Sequence, residues 1–150
     1  MKKYRYLVMI VGVILLSGCT KKEEIKEISY TTSSFGIIVK AITVNTEERT
    51  KKIFINNDYT KGGAPRKMSE IPEEEFDIYD INDVEEIFKE IDKVDIPHWK
   101  ERYMNKHIMD GYQWSLIVKY KSGEMKTSSG SNDKPKKFDE LIHVLFDTKE

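Results

Sequence analysis

The 150-residue sequence contains one cysteine, four prolines and three histidines, and neither sign of charge is in clear excess. A single thiol cannot close an internal disulfide, so stability must come from a packed core and Cys19 needs another explanation. His98, His107 and His143 form neither an H-x-x-x-H nor an H-E-x-x-H pair. No zinc motif is therefore present, and no metal or other cofactor is expected. No apolar run reaches the roughly 20 residues that cross a bilayer as a helix. The longest, Leu7 to Leu16, is soon followed by Thr20-Lys21-Lys22-Glu23-Glu24. Residues 1–18 carry Lys2, Lys3 and Arg5 and no acid, so the remainder has 22 basic side chains against 26 acidic ones, a formal charge of −4. Interspersed signs with a weak acidic balance argue against a nucleic-acid partner, which calls for a basic face.

What is present fits one globular domain. Hydrophobic residues make up 39%, aromatic residues 11% and charged residues 34% of the chain. That is too apolar for a disordered segment, and the length suits a single domain.

The first nineteen residues have a three-part layout. A basic start is followed by the apolar run from Leu7, then by Ser17, Gly18 and Cys19. This is the order of a secretory signal: charged segment, short hydrophobic segment, small residues at the cut. Leu16-Ser17-Gly18-Cys19 resembles the lipobox of bacterial lipoproteins, and Cys19 is the only cysteine. The resemblance implies a diacylglyceryl group on the Cys19 sulfur, cleavage just before it, and acylation of the new N-terminus. Two or three acyl chains hold a protein stably where one does so only marginally. The expected organisation is a signal peptide at 1–18, a lipid-anchored tether at 19–30 and one domain at 31–150. The expected place is the extracytoplasmic face of the cell membrane.

Within the domain, Phe35 to Val44 is β-branched and continuous, and Lys51 to Asn56 alternates, which predicts a hairpin. Asn57 to Glu75 holds two Gly, two Pro and many charges and reads as a long surface loop, ended by a strand-like Phe76 to Tyr79. Val84, Ile87, Phe88 and Ile91 recur at helical spacing behind Asn82 and Glu85, a capping-box-like pair. Trp114, Leu116, Val118 and Tyr120 alternate with Gln113, Ser115, Ile117 and Lys119, the pattern of a half-buried strand. Ser122-Gly123 suits a two-residue turn that would set Tyr120 opposite Met125 and Val118 opposite Thr127. Phe138, Leu141, Ile142 and Leu145 mark a last helix, with Pro135 in its first turn and Asn132 or Asp133 as its cap. The fold class expected is α+β: an antiparallel sheet from two hairpins, two helices on one face, in ββα-ββα order.

The C-terminal half also resembles a group of uncharacterised bacterial proteins, many of them lipoproteins. The resemblance rests on Ile91 with Trp99, Asp110-Gly111-x-x-Trp114-Ser115-Leu116, a hairpin glycine, and Gly130-Ser131-Asn132-x-x-Pro135-x-x-Phe138-x-x-Leu141. It covers roughly residues 85–146 and implies the fold without an activity. Where that pattern has small or aromatic residues between Asn and Pro, this chain has Asp133 and Lys134.

Several residues invite chemistry. Ser131-Asn132-Asp133-Lys134 matches the S-x-x-K of serine acyl-enzymes, which need a much larger two-part domain to assemble their site. Asp77, Asp80, Asn82, Asp83 and Glu85 form an acidic run without the turn glycine of a calcium loop, and helix capping accounts for it. Trp99, Tyr103 and Tyr112, with His107 and Asn132, form the candidate binding surface, since exposed aromatics hold sugars and peptides by their faces. The competing reading places the aromatics over the core.

The function expected is a small non-enzymatic binding or interaction module, anchored in the membrane and meeting an envelope protein or wall polymer. A small envelope hydrolase, or an inhibitor or immunity-type protein, is the alternative.

Overall fold

Ile25–Ser34 forms β1, the middle strand of the sheet in the computed structural model, which describes residues 23–58, 64–108 and 111–148. Residues 1–18 and Cys19 lie outside the described residues. The chain continues through β2 (Ile37–Asn45), β3 (Thr50–Ile55), β4 (Asp77–Asp80) and α1 (Val84–Asp92). It ends with β5 (Arg102–Met104), β6 (Tyr112–Tyr120), β7 (Met125–Ser131) and α2 (Phe138–Phe146). The seven strands lie in the order β4-β3-β2-β1-β6-β7-β5. Every neighbouring pair is antiparallel except β5 and β7, which run parallel.

The expected α+β class and the two hairpins are present, β2–β3 before α1 and β6–β7 before α2. Residues 25–30 correct the expected extent of the tether, because they are the first part of a strand paired on both sides. Ile25, Ile28 and Tyr30 are its buried residues. Their period of two is broken by a bulge between Ile25 and Glu27, so among Lys and Glu neighbours the alternation does not show. Phe35 is not in a strand. It turns the chain from β1 to β2 at φ 50° and is 73% exposed.

Both helices pack on one face of the sheet. Ile91 of α1 and Phe138, Leu141 and Leu145 of α2 meet Ile28, Ile42, Val44, Leu116 and Val118 in one core. Val84, Ile87 and Phe88 complete the expected α1 stripe as partly buried neighbours. The cap differs from the expectation: Asp83, not Asn82, accepts from the Glu86 N–H at 3.0 Å. Helix α2 starts at Phe138 after Lys137 at φ 61°, with no side-chain cap, so neither Asn132 nor Asp133 serves there.

The 57–75 segment is more than a surface loop. It carries two short 3-10 turns, Met68–Glu70 and Glu73–Glu75, and buries Ile71 against Ile38, Ala41 and Phe54 on the face opposite the helices. The β6–β7 connection also corrects the expected register. Tyr120 N–H bonds to the Glu124 carbonyl, leaving three loop residues with Gly123 at φ 93°, and Val118 faces Lys126 instead of Thr127. A three-residue hairpin with its last residue left-handed shifts the pairing by one relative to a two-residue turn.

Candidate functional site

The aromatic candidates separate into two groups. Trp99 is buried, 6% exposed, with its indole N–H on the Val94 carbonyl at 3.3 Å. Its ring stands edge-on to Trp114 at 6.2 Å, and Trp114 lies 4.6 Å from Phe138. Tyr103 is half-buried on the other side of Trp114 at 5.9 Å, and its hydroxyl accepts from the Lys100 N–H at 2.9 Å. Trp114 gives its own N–H to the Asp133 carbonyl at 2.8 Å. With rings packed on one another and polar atoms used internally, these side chains close the core and offer no stacking platform.

Tyr112 and His107 are exposed, whereas Asn132 is half-buried. Asn132 takes φ 53° at the end of β7, donates its N–H to the Tyr112 carbonyl at 3.1 Å, and packs its amide against Gly111. The Asn105 N–H reaches the Ser131 carbonyl at 3.0 Å, which brings the turn holding His107 to the same end of the sheet. The structure thus gathers Tyr112, Asn132 and the His107 turn at one end of the sheet, while Trp99 and Tyr103 pack their rings on Trp114.

The S-x-x-K pattern does not assemble a catalytic pair. Lys134 Nζ is held by both oxygens of Asp139, at 2.8 and 2.6 Å. That carboxylate pushes the ammonium pKa above its usual value, the reverse of what a base for Ser131 needs. Among the described residues, no group of three or more His, Cys, Asp or Glu is placed to hold a metal ion. No described helix is long and apolar enough to cross a membrane.

The concave surface lies elsewhere, at the end of the domain where β1 begins. A groove of about 700 Å³ opens there between the last turn of α1 and the β6–β7 hairpin. Its floor is apolar: Ile25, Ile91, Ile96, Pro97, Tyr120 and Met125. Its rim carries Glu23, Asp92, Asp95 and Glu124, with Lys126 as the one cation among the described residues. Lys126 points its ammonium at the Trp99 carbonyl, 2.6 Å away, and so partly withdraws that charge. Asp95 turns to His98 at 2.7 Å, and Ser122 holds Glu23 at 3.3 Å. Burial raises the pKa of Tyr120, and the charges of Glu23 and Glu124 raise it further.

A second groove, about 620 Å³, lies across α1 and shares Glu23, Ile25 and Asp92 with the first. Its polar wall mixes both signs, with Arg49, Lys89 and Lys121 among five carboxylates, and Lys121 pairs with Glu24 at 2.7 Å. The first groove combines an apolar floor with the larger acidic excess, four carboxylates against one ammonium among the described residues. No single motif marks it in the sequence, because its residues come from β1, α1, the turn after α1 and the β6–β7 hairpin.

The fold and the groove define a small α+β domain with a seven-stranded, mostly antiparallel sheet and two helices on one face. No family model matches the chain, and neither does any curated protein or solved structure.

Proposed function

We propose that the chain is the precursor of a membrane-anchored lipoprotein, cut before Cys19 and held by acyl groups on that residue. Its α+β domain then works as a binding module on the extracytoplasmic face of the cell membrane, toward an envelope protein or a wall polymer. The observation that carries this reading is the ordered run of basic start, apolar segment and Leu16-Ser17-Gly18-Cys19 around the sole cysteine. The grooves at the start of β1 support the binding role. Four residues from Cys19 to Glu23 span at most roughly 14 Å, so both grooves would stay beside the headgroups.

Mass spectrometry of the protein taken from its own cells tests the anchor. The expected product starts at Cys19 with the added mass of two or three acyl chains, and Cys19→Ala releases the protein from the membrane fraction. A mature chain starting at another residue, or one that carries a bare thiol, would overturn the reading.

A further inference from the structure

The groove between α1 and the β6–β7 hairpin has chemistry specific enough to name its partner. Its floor is built from core residues that reach the surface: Ile25, Ile91 and Ile96 are nearly buried, while Met125 is 65% exposed. Among the described residues, four carboxylates and one ammonium line the groove around that floor, and the ammonium is engaged with a backbone carbonyl. A phosphate or other polyanion would meet a net negative rim and be repelled. A neutral sugar would look for broad exposed aromatic faces, and among the described lining residues the groove offers a single half-buried ring, Tyr120. An apolar side chain flanked by cations satisfies both parts of the site at once, burying its surface on the floor and placing its charges at the rim.

We infer that this groove binds a cationic, amphipathic peptide segment, with apolar side chains on Ile96, Tyr120 and Met125 and Lys or Arg residues facing Glu23 and Glu124. This deepens the proposed binding role and depends on the lipid anchor only for where the partner is met. Near a membrane, such segments are those that lie in the headgroup layer with a basic face toward water. A groove held within a few residues of the bilayer surface is placed to receive them.

The test uses a chain of residues 20–150, which keeps every strand, helix and core residue described above and needs no lipid. Loss of the anchor reading would therefore leave the result intact. The probe is a fluorescein-labelled helical Leu/Lys peptide, with its Leu/Glu counterpart as control, read by anisotropy. The Leu/Lys peptide is expected to bind saturably and the Leu/Glu peptide to give no signal. Binding should weaken as salt rises. Glu124→Lys and Met125→Ser lie at exposed positions, and each should weaken binding about tenfold while circular dichroism stays unchanged. Equal binding by wild type and both variants would overturn the proposal, as would equal binding of the two peptides. If the Leu/Lys peptide binds only after Lys21→Gln and Lys22→Gln, the groove is filled by the chain's own start and the proposal also fails. Retention on phosphatidylglycerol vesicles without any response to the peptide would identify a lipid surface instead and overturn it.

Discussion

Lys51 of β3 reaches the far end of α2, donating from Nζ to the carbonyls of Val144 at 3.1 Å and Asp147 at 2.6 Å. The lysine is 6% exposed, and burial pushes its pKa below the usual value despite the nearby Asp147 charge. A cation here satisfies the carbonyls that end the helix and opposes the negative end of its dipole. It ties the final helix to a strand more than ninety residues earlier.

Lys51→Ala should cost about 1–3 kcal/mol in urea unfolding, since buried carbonyl acceptors lose their donor. Lys51→Met keeps the stem and separates packing from hydrogen bonding. The Met variant should fall between wild type and Ala, and hydrogen exchange at the end of α2 should quicken in both.

Tyr30 governs behaviour at alkaline pH. Burial raises its pKa to about 12 from an ordinary value of 10.0. The folded protein keeps a proton that the unfolded chain releases, so this stability is complete below pH 10 and fades as pH rises toward 12. The full loss is about 2–3 kcal/mol. Urea midpoints measured from pH 9 to 12 should fall for wild type more steeply than for Tyr30→Phe.

Trp99 and Tyr112 look alike in the sequence and should behave differently. Trp99→Ala opens a cavity against Trp114 and Phe138 and should cost about 3–5 kcal/mol. Tyr112→Ala, at a position 38% exposed, should stay within about 0.5 kcal/mol of wild type. Denaturant midpoints compare them directly.

Two hairpin glycines give the same contrast. A Cβ at Gly130 would lie 2.2 Å from Trp114 Nε1 and 2.4 Å from the Asp133 carbonyl oxygen, which is backbone. Gly130→Ala should prevent stable folding or cost more than about 3 kcal/mol. At Gly123 nothing lies within 4 Å, and only φ 93° opposes a side chain. Gly123→Ala should cost about 1 kcal/mol, measured by thermal or urea melts.

Where apolar periodicity was unbroken, the sequence was informative. Ile91 of α1, Leu141 and Leu145 of α2, and Leu116 and Val118 of β6 sit where spacing placed them. Strand β1 was hidden by its bulge and its charged flanks. Strand β5 was hard to see for another reason: it is three residues long, too short for a period to form, whereas β4 lies within one residue of the strand-like Phe76 to Tyr79. The register of β6–β7 depended on one backbone angle at Gly123. The aromatic candidates shared a composition that says nothing about direction, and only packing distinguishes Trp99 from Tyr112. The groove was not readable because its walls come from segments that meet only after folding, from Glu23 to Lys126.

The central position of β1 has a mechanical consequence. Tension applied at the N-terminus enters the sheet at Ile25, on the strand bonded along its length to both β2 and β6. Force along that strand loads two antiparallel ladders in shear, so many hydrogen bonds share the pull instead of parting one after another. A domain tugged from this end resists as a clamp, whereas one tugged from an outer strand would peel.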